Sequence, residues 1–192
     1  MLDRVGLPDP RFARKLYPHQ LSGGQRQRVV IAIAMACGPD LLVADEPTTA
    51  LDVTIQAQIL RLLSELVEEE KMSLILITHD LGVIAENTDR MLVMYAGRCV
   101  ESGLTEDVFS KLKHPYTRGL FEALPEGEHQ HKGSSTRLKT IPGRVPKLDE
   151  RSQGCVFQTR CASVQPRCRE EVPKWVESDL KHSWACWFPH ET

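Results

Sequence analysis

The sequence predicts an α/β fold with parallel strands at its centre. Two short apolar runs, Leu41–Asp45 and residues 73–78, have the length and composition of buried parallel strands. Between them, Val53–Glu70 repeats apolar residues every three or four positions, which is the pattern of an amphipathic helix. Strands that alternate with helices at this spacing are typical of parallel sheets, in which ligands bind beyond the carboxyl ends of the strands.

The other expected elements extend this pattern on both sides. A helix of small residues over 24–37 ends at the Gly-Pro pair that follows it. After the second strand we expect a short helix over Leu81–Asn87, strands over 90–95 and 98–102, and helices over 105–113 and 115–124. Residues 125–136 are polar and patternless, which predicts a linker. We therefore expect one domain over 1–103 and a smaller C-terminal extension over 104–192.

The net charge and the apolar runs of the chain limit the classes of partner that we expect for it. The 192 residues include 24 Lys and Arg against 26 Asp and Glu, a formal net charge of −2. A near-neutral chain gives no electrostatic reason to expect nucleic acid or an anionic membrane surface as a partner. The apolar runs are too short to span a bilayer, and the first residues lack the basic start and apolar stretch of a signal peptide. We expect a soluble cytoplasmic protein.

The run LSGGQRQRV, residues 21–29, combines a hydroxyl with two glycines at the start of a helix. Ser22 offers the hydroxyl, and Gly23 and Gly24 let backbone N–H groups approach an anion where the helix dipole is positive. The alternative is a serine-capped helix with a glycine turn, which SGG alone would favour. The longer run, which continues through Gln25, favours an anion site.

Carboxylates and a histidine follow the two strands. Asp45, at the end of the first strand, can hold Mg²⁺ through water, and Glu46 can orient a nucleophilic water. Asp52, at the end of TTALD, adds a third acid. His79 leaves the second strand at the same edge of the sheet and can donate a hydrogen bond to a terminal phosphate. The alternative for each motif taken alone is a turn with solvated acids and a structural histidine.

In this order, the motifs resemble those of the nucleotide-binding subunit of ABC transporters. LSGGQ is similar to the family signature, LLVADE to the Walker B segment, ALD to the D-loop and ITHD to the switch-histidine segment. The resemblance implies a P-loop NTPase core that binds ATP and Mg²⁺, with Glu46 and His79 as catalytic residues. Asp45, Asp52 and the signature residues 22–25 would be the nucleotide-binding ones.

The resemblance also implies partners. Two such subunits form a head-to-tail dimer, in which the signature of one acts in trans on the ATP held by the other. Transmembrane permease subunits then hold the pair at the inner face of the cell membrane, and nucleic acid is not a partner.

The rest of the chain resembles one subgroup of this family. HPYTRGL at 114–120, IPGRVP at 141–146 and the cysteines that follow resemble the C-terminal extension of oligopeptide and dipeptide import ATPases, and of the related nickel and glutathione importers. The family's Walker A loop, G-x-x-x-x-G-K-S/T, does not occur in the sequence, and its adenine-stacking aromatic residue and Q-loop glutamine would lie upstream. Because the Walker A backbone and lysine hold the phosphates, we expect a truncated core that is inactive alone.

Four of the six cysteines, namely Cys155, Cys161, Cys168 and Cys186, lie in the C-terminal tail. Four thiolates can hold a 4Fe–4S iron–sulfur cluster or a tetrahedral zinc ion. Structural zinc sites favour closely spaced cysteine pairs, which this tail lacks, and similar peptide-import ATPases carry an iron–sulfur cluster on such a quartet. We therefore expect a cluster first, zinc second and free thiols third. His182 is expected to be a surface residue rather than a ligand.

Three functions remain open. The first is an ATP-hydrolysing subunit of a peptide importer. The second is a non-catalytic fragment or interaction module that lends its signature to a complete partner. The third is a non-transport ABC-type ATPase with cysteine-rich zinc modules, such as a DNA-repair protein, which HPYTRGL and the near-neutral charge disfavour.

Overall fold

The computed structural model describes residues 1–7, 15–124, 140–150, 153–178 and 181–191. The chain divides into two compact units, Met1–Asn87 and Thr88–Thr192. The predicted linker over 125–136 lies outside the described residues. Within the described ranges, no helix combines the length and the apolar character needed to cross a membrane.

The first unit is built from helices that alternate with parallel strands. Its elements are α1 (Gly23–Ala34), β1 (Leu41–Asp45), α2 (Val53–Glu70), β2 (Ser73–Ile77) and α3 (Leu81–Asn87), with a 3-10 turn at Pro18–Gln20. Strands β1 and β2 pair in parallel, from Leu41 opposite Ser73 to Asp45 opposite Ile77. The predicted α/β pattern is confirmed, and this register brings the carboxyl ends of both strands to one edge.

Helix α2 supplies much of the core of this unit because its apolar residues form one stripe. Ile59, Leu63 and Leu66 are almost completely buried and belong to one cluster with Leu42 and Ala44 of β1. Burying a leucine or isoleucine side chain stabilises a fold by about 1.5–3 kcal/mol. The stripe therefore fixes α2 against the sheet, and with it the loop between β1 and α2.

The two strands are covered on one face, although their composition predicts burial on both. Leu42 and Ala44 are buried. The side chains on the opposite face keep roughly half of their surface exposed: they are Leu41 and Val43 of β1 and Ile75 and Ile77 of β2. Successive side chains of a strand point to opposite faces, and the apolar cluster of this unit lies against one of them.

The second unit contains an antiparallel sheet. Its elements are β3 (Arg90–Tyr95), β4 (Arg98–Leu104), α4 (Thr105–Lys111), α5 (Pro115–Glu122), α6 (Pro166–Glu170), β5 (Val176–Glu177) and β6 (Ser183–Trp184), with a 3-10 turn at Leu148–Glu150. The strand order is β3-β4-β6-β5. Ala96 and Gly97, both with positive φ, form the two-residue turn between β3 and β4 that a tight hairpin requires. The two strands expected over 90–95 and 98–102 form this hairpin.

The C-terminal tail is held within this unit by strand pairing and by side-chain contacts. Strand β6 pairs with β4. The buried ring of Phe157 packs edge-on against Tyr95, with 5.1 Å between ring centroids. Arg160 donates hydrogen bonds to the carbonyl oxygens of Pro142 and Ile141 at 2.8 and 2.9 Å. These contacts join the tail to the β3–β4 hairpin and to residues 141 and 142.

The prediction that His182 is a surface residue is wrong. His182 is fully buried, and its Nε2 lies 2.8 Å from Oε1 of Glu101, which is also fully buried. The same carboxylate accepts hydrogen bonds from the backbone N–H groups of Lys113 and His114 at 2.8 and 2.9 Å. A carboxylate is tolerated in the interior when its oxygens are hydrogen-bonded, and His182 supplies one of the required donors.

Candidate functional site

Strand β1 ends in a tight turn that folds back on its own carboxylates. Glu46 has a positive φ of 44°, and its backbone N–H donates to the carbonyl oxygen of Ile77 at 2.9 Å. The backbone N–H of Thr49 donates to the carbonyl oxygen of Glu46 at 3.2 Å and closes a four-residue turn, in which Pro47 takes the position that proline favours. The turn therefore fixes Glu46 at the carboxyl edge of the sheet, directly after Asp45.

Glu46, His79 and Thr49 form a hydrogen-bonded group at this edge. Nδ1 of His79 lies 3.0 Å from Oε1 of Glu46, and the hydroxyl of Thr49 donates to Oε2 at 2.7 Å. The bond from Thr49, and then that from His79, hold the pKa of the Glu46 carboxyl below its usual value. The side chains of Glu46 and His79 are 44% and 82% exposed. The site thus presents an ionised, oriented carboxylate to solvent.

Ser22 and Gln25 form a reciprocal capping box at the start of α1. Oγ of Ser22 accepts a hydrogen bond from the backbone N–H of Gln25 at 3.2 Å, and Oε1 of Gln25 accepts one from the backbone N–H of Ser22 at 2.9 Å. This box satisfies two N–H groups at the helix start. Because a hydroxyl donates and accepts at once, the bond to Oγ leaves the proton of Ser22 able to donate to another group.

The two glycines of this run meet a packing requirement. A Cβ atom at Gly24 would lie 2.7 Å from Cγ2 of Ile55, and one at Gly23 would lie 3.1 Å from Cδ2 of Leu51. A side chain at Gly24 would therefore force Ile55, at the start of α2, to shift. This packing requirement gives a reason for Gly24 that is independent of the anion contact that the sequence predicts.

Two further acids act as helix caps. Asp52 is the N-cap of α2, and its Oδ1 accepts a hydrogen bond from the backbone N–H of Ile55 at 3.0 Å. Asp80, directly after His79, accepts two hydrogen bonds at 2.9 and 3.2 Å from backbone N–H groups in the first turn of α3. Asp80 thereby anchors the chain beside His79 at the end of β2.

The structure brings together part of the predicted site. Glu46 and His79 are in direct contact. Asp45 precedes Glu46, whereas Asp52 and the signature residues 22–25 lie at the N-termini of α2 and α1. Sequence reasoning missed Thr49. The signal that marks Thr49 is a hydroxyl three residues after Glu46 with a proline between them, which is the composition of a tight turn.

The four cysteines of the tail line one small cavity of the second unit but do not form a metal centre. The cavity has a volume of about 10 Å³, enough for about one water molecule. Burial raises the pKa of the thiols of Cys155 and Cys161, and that of Cys186 to about 12.

The predicted iron–sulfur cluster on Cys155, Cys161, Cys168 and Cys186 is wrong. Across the described part of the chain, no group of three or more His, Cys, Asp or Glu side chains could hold a metal ion. The alternative of a zinc ion fails on the same finding. None of the four forms a disulfide in the part of the chain that the structure describes.

Two family models match the chain. The model of the ABC transporter family matches residues 1–49, and a model described as the C-terminal region of oligopeptide/dipeptide transporters matches residues 100–168. The first match includes the signature residues, Asp45 at the end of β1 and Glu46 after it. The second includes HPYTRGL and three of the four tail cysteines.

Curated relatives match along the chain. A probable peptide ABC transporter ATP-binding protein of Sinorhizobium fredii is 49% identical over 191 residues, which are 100% of this chain and 56% of that protein. The dipeptide transport ATP-binding protein DppD of Escherichia coli is 52% identical over 173 residues, which are 90% of this chain and 52% of DppD. The chain thus spans about half the length of the curated relatives it matches.

Solved structures share the fold. Part of the ABC transporter complex cbiONQ from Clostridium perfringens matches with a TM-score of 0.51 and 34% identity, over 57% of this chain and 42% of that chain. An ATP-binding cassette of an ABC transporter in its ADP conformation matches with a TM-score of 0.53 and 26% identity, over 62% and 46% of the two chains. The chain is therefore homologous, along its length, to the ATP-binding proteins of peptide and dipeptide ABC transporters, as its motifs predict.

Proposed function

We propose that this chain supplies the signature helix and the catalytic base of an ATP-hydrolysing subunit in an ABC importer for peptides. The observation that carries the proposal is the 3.0 Å hydrogen bond between His79 and Glu46 at the carboxyl edge of β1 and β2. Ligands of α/β sheets bind at this edge. The relatives named for peptide and dipeptide transport support peptides as the transported class.

In this proposal, Glu46 is the base that orients the attacking water and takes its proton. The bonds from Thr49 and His79 keep it in the ionised state that a base requires. An ionised Glu46 accepts from a protonated Nδ1 of His79, so Nε2 can donate to a terminal phosphate when the imidazole carries both protons. His79 then also brings a positive charge to the phosphate.

The proposed ligand is ATP with Mg²⁺, and the donors at this edge suit it. Asp45 ends β1 with an exposed carboxylate, a hard oxygen donor of the kind that Mg²⁺ binds directly or through water. Mg²⁺ supplies neutralisation of the charge that develops on the phosphates. In this assignment Asp52 is the aspartate of the D-loop segment, and its carboxylate also caps the N-terminus of α2.

We assign the signature residues 22–25 to a nucleotide held by a second subunit. The N-terminus of a helix offers backbone N–H groups to an anion, and the hydroxyl of Ser22 retains a proton to donate. The 192-residue sequence contains no G-x-x-x-x-G-K-S/T run, whose backbone and lysine hold the phosphates, so this chain is inactive alone.

The proposed partners follow from this assignment. They are a second ABC ATPase subunit, paired head to tail, and permease subunits that hold the pair at the cytoplasmic face of the membrane. We divide this chain's contribution into an ATPase part over 1–103 and a transporter-specific extension over 104–192.

A second candidate function is a non-catalytic module that lends its signature to a complete partner. The lack of a Walker A run in the 192-residue sequence favours this candidate, because Glu46 can act as a base only at a site where phosphates are bound. The two candidates share the role of Ser22 and differ in the role of Glu46.

Substitution of Glu46 separates the candidates. The chain is combined with a Walker A-bearing segment of a peptide-import ATPase, and phosphate release and nucleotide binding are measured for the wild type and Glu46→Gln. We expect Glu46→Gln to abolish turnover with nucleotide binding nearly unchanged, because an amide cannot take a proton from water. Near-normal turnover by Glu46→Gln would remove Glu46 from the role of base and favour the non-catalytic module.

A further inference from the structure

We propose that Thr49 is a positioning residue that orients the carboxylate of Glu46 for its action on water. The inference rests on the proposed function, in which Glu46 is the base. It adds a residue that lies between the Walker B and D-loop motifs and belongs to neither.

The turn after β1 fixes the Thr49 hydroxyl relative to Glu46. The backbone N–H of Thr49 donates to the carbonyl oxygen of Glu46 at 3.2 Å, and the Thr49 hydroxyl donates to Oε2 of the same residue at 2.7 Å. Pro47 is buried at the second position of the turn and limits its backbone freedom. The backbone N–H and the hydroxyl of Thr49 thus both donate to Glu46. The turn therefore fixes the position of the hydroxyl relative to the carboxylate.

The two carboxylate oxygens of Glu46 have different partners. Oε1 faces His79, and Oε2 faces Thr49. In the proposed function His79 also serves the terminal phosphate, so its bond to Glu46 depends on the ligand. The bond from Thr49 lies within a single turn and does not. A hydroxyl that donates to an ionised oxygen forms a stronger bond than a neutral pair does, so Thr49 can hold the carboxylate by itself.

Three variants test the inference in the 192-residue chain. Thr49→Val removes the hydroxyl, Thr49→Ser keeps it, and Thr48→Val changes the neighbouring threonine as a matched control. Thr49 is exposed, so these changes leave the core intact. The carboxyl ¹³C signal of Glu46 is recorded at pH 7 and identified by its loss in Glu46→Gln. We expect this signal to move in Thr49→Val, because the carboxylate loses the hydrogen bond to Oε2, and to stay close to the wild type in Thr49→Ser and Thr48→Val. An unchanged signal in Thr49→Val would overturn the inference.

Phosphate release with the Walker A-bearing segment gives the second readout. We expect Thr49→Val to lower kcat by about tenfold with little change in KM. Thr49→Ser should restore kcat. An active wild type with an equally active Thr49→Val would overturn the inference and leave the proposed function standing. A wild-type combination without turnover would count against the proposed function, and the NMR comparison would then decide the role of Thr49 by itself.

Discussion

At the scale of the residue, hydrogen bonding and burial set the charge of the groups that matter. Bonds from Thr49 and His79 lower the pKa of Glu46. A carboxyl whose pKa is lowered on folding contributes stability above the pH at which an unfolded glutamate ionises, and loses it as the pH falls through the folded pKa. For His114 the cause is burial, which disfavours the charged imidazolium and lowers the pKa to about 4.

We predict that His114 makes the second unit less stable in mild acid. Between pH 6.5 and 4 the unfolded chain binds a proton that the folded chain excludes, so stability falls as the pH falls through this window. From pH 7 to 5 the expected loss is about 2 kcal/mol. His114→Asn keeps an acceptor at the N-cap of α5 and removes the titration.

Urea unfolding at pH 7 and pH 5 measures this loss, and tryptophan fluorescence reports the second unit because all three tryptophans lie there. His19→Asn, which changes an exposed histidine of the first unit, is the control. A pH dependence as large in His114→Asn as in the wild type would disprove the assignment.

At the scale of the element, the approach of α1 to α2 depends on Gly24. Alanine is favoured over glycine within a helix by up to about 1 kcal/mol, whereas a forced contact costs about 1–3 kcal/mol. The contact of 2.7 Å that a Cβ would make with Ile55 should decide the balance. We predict that Gly24→Ala destabilises the first unit by about 1 kcal/mol.

The matched background for Gly24→Ala is Ile55→Ala, which removes the clashing methyl group. There, Gly24→Ala should become neutral or stabilising, because the helix preference of alanine remains. Hydrogen exchange of the α2 amides, measured for the four combinations, gives the comparison. The same loss of protection in both backgrounds would show that the contact with Ile55 is not the cause.

Local sequence patterns predicted most of the helices and strands but not the contacts between residues far apart in the sequence. Helices α2 and α3 and strand β1 have the expected bounds, since an amphipathic stripe and a short apolar run are readable in place. Helix α1 ends at Ala34, three residues before its expected end. The pair of Glu101 and His182 joins residues 81 positions apart, and no local pattern marks such a partner.

The candidate site residues could likewise be predicted only where a local pattern marks them. Glu46 and His79 were predictable because each follows an apolar strand, and parallel strands end at one edge. The cysteine quartet was misjudged because the spacing of cysteines along the sequence does not give the room between their thiols.

At the scale of the whole molecule, the open face of the β1–β2 pair is the exposed surface with the clearest consequence. Val43 and Ile75 are register partners and are 55% and 48% exposed. Apolar side chains on a strand pair with open edges favour self-association. We predict that Val43→Thr combined with Ile75→Thr lowers light scattering of the purified chain. Leu42→Thr, on the buried face, is the control and should destabilise the fold instead of lowering the scattering. Equal scattering by the double variant and the wild type would show that this face does not cause the self-association.

We propose above all that this chain acts on a nucleotide that another chain holds. A fluorescent ATP analogue is titrated with Mg²⁺ into the isolated chain, a complete peptide-import ATPase subunit, and the mixture of the two. We predict negligible binding by the isolated chain, because the sequence lacks the loop that cradles phosphates. The mixture should bind more tightly than the complete subunit alone, and Ser22→Arg should remove this gain. Micromolar binding by the isolated chain, or a mixture unaffected by Ser22→Arg, would contradict the claim.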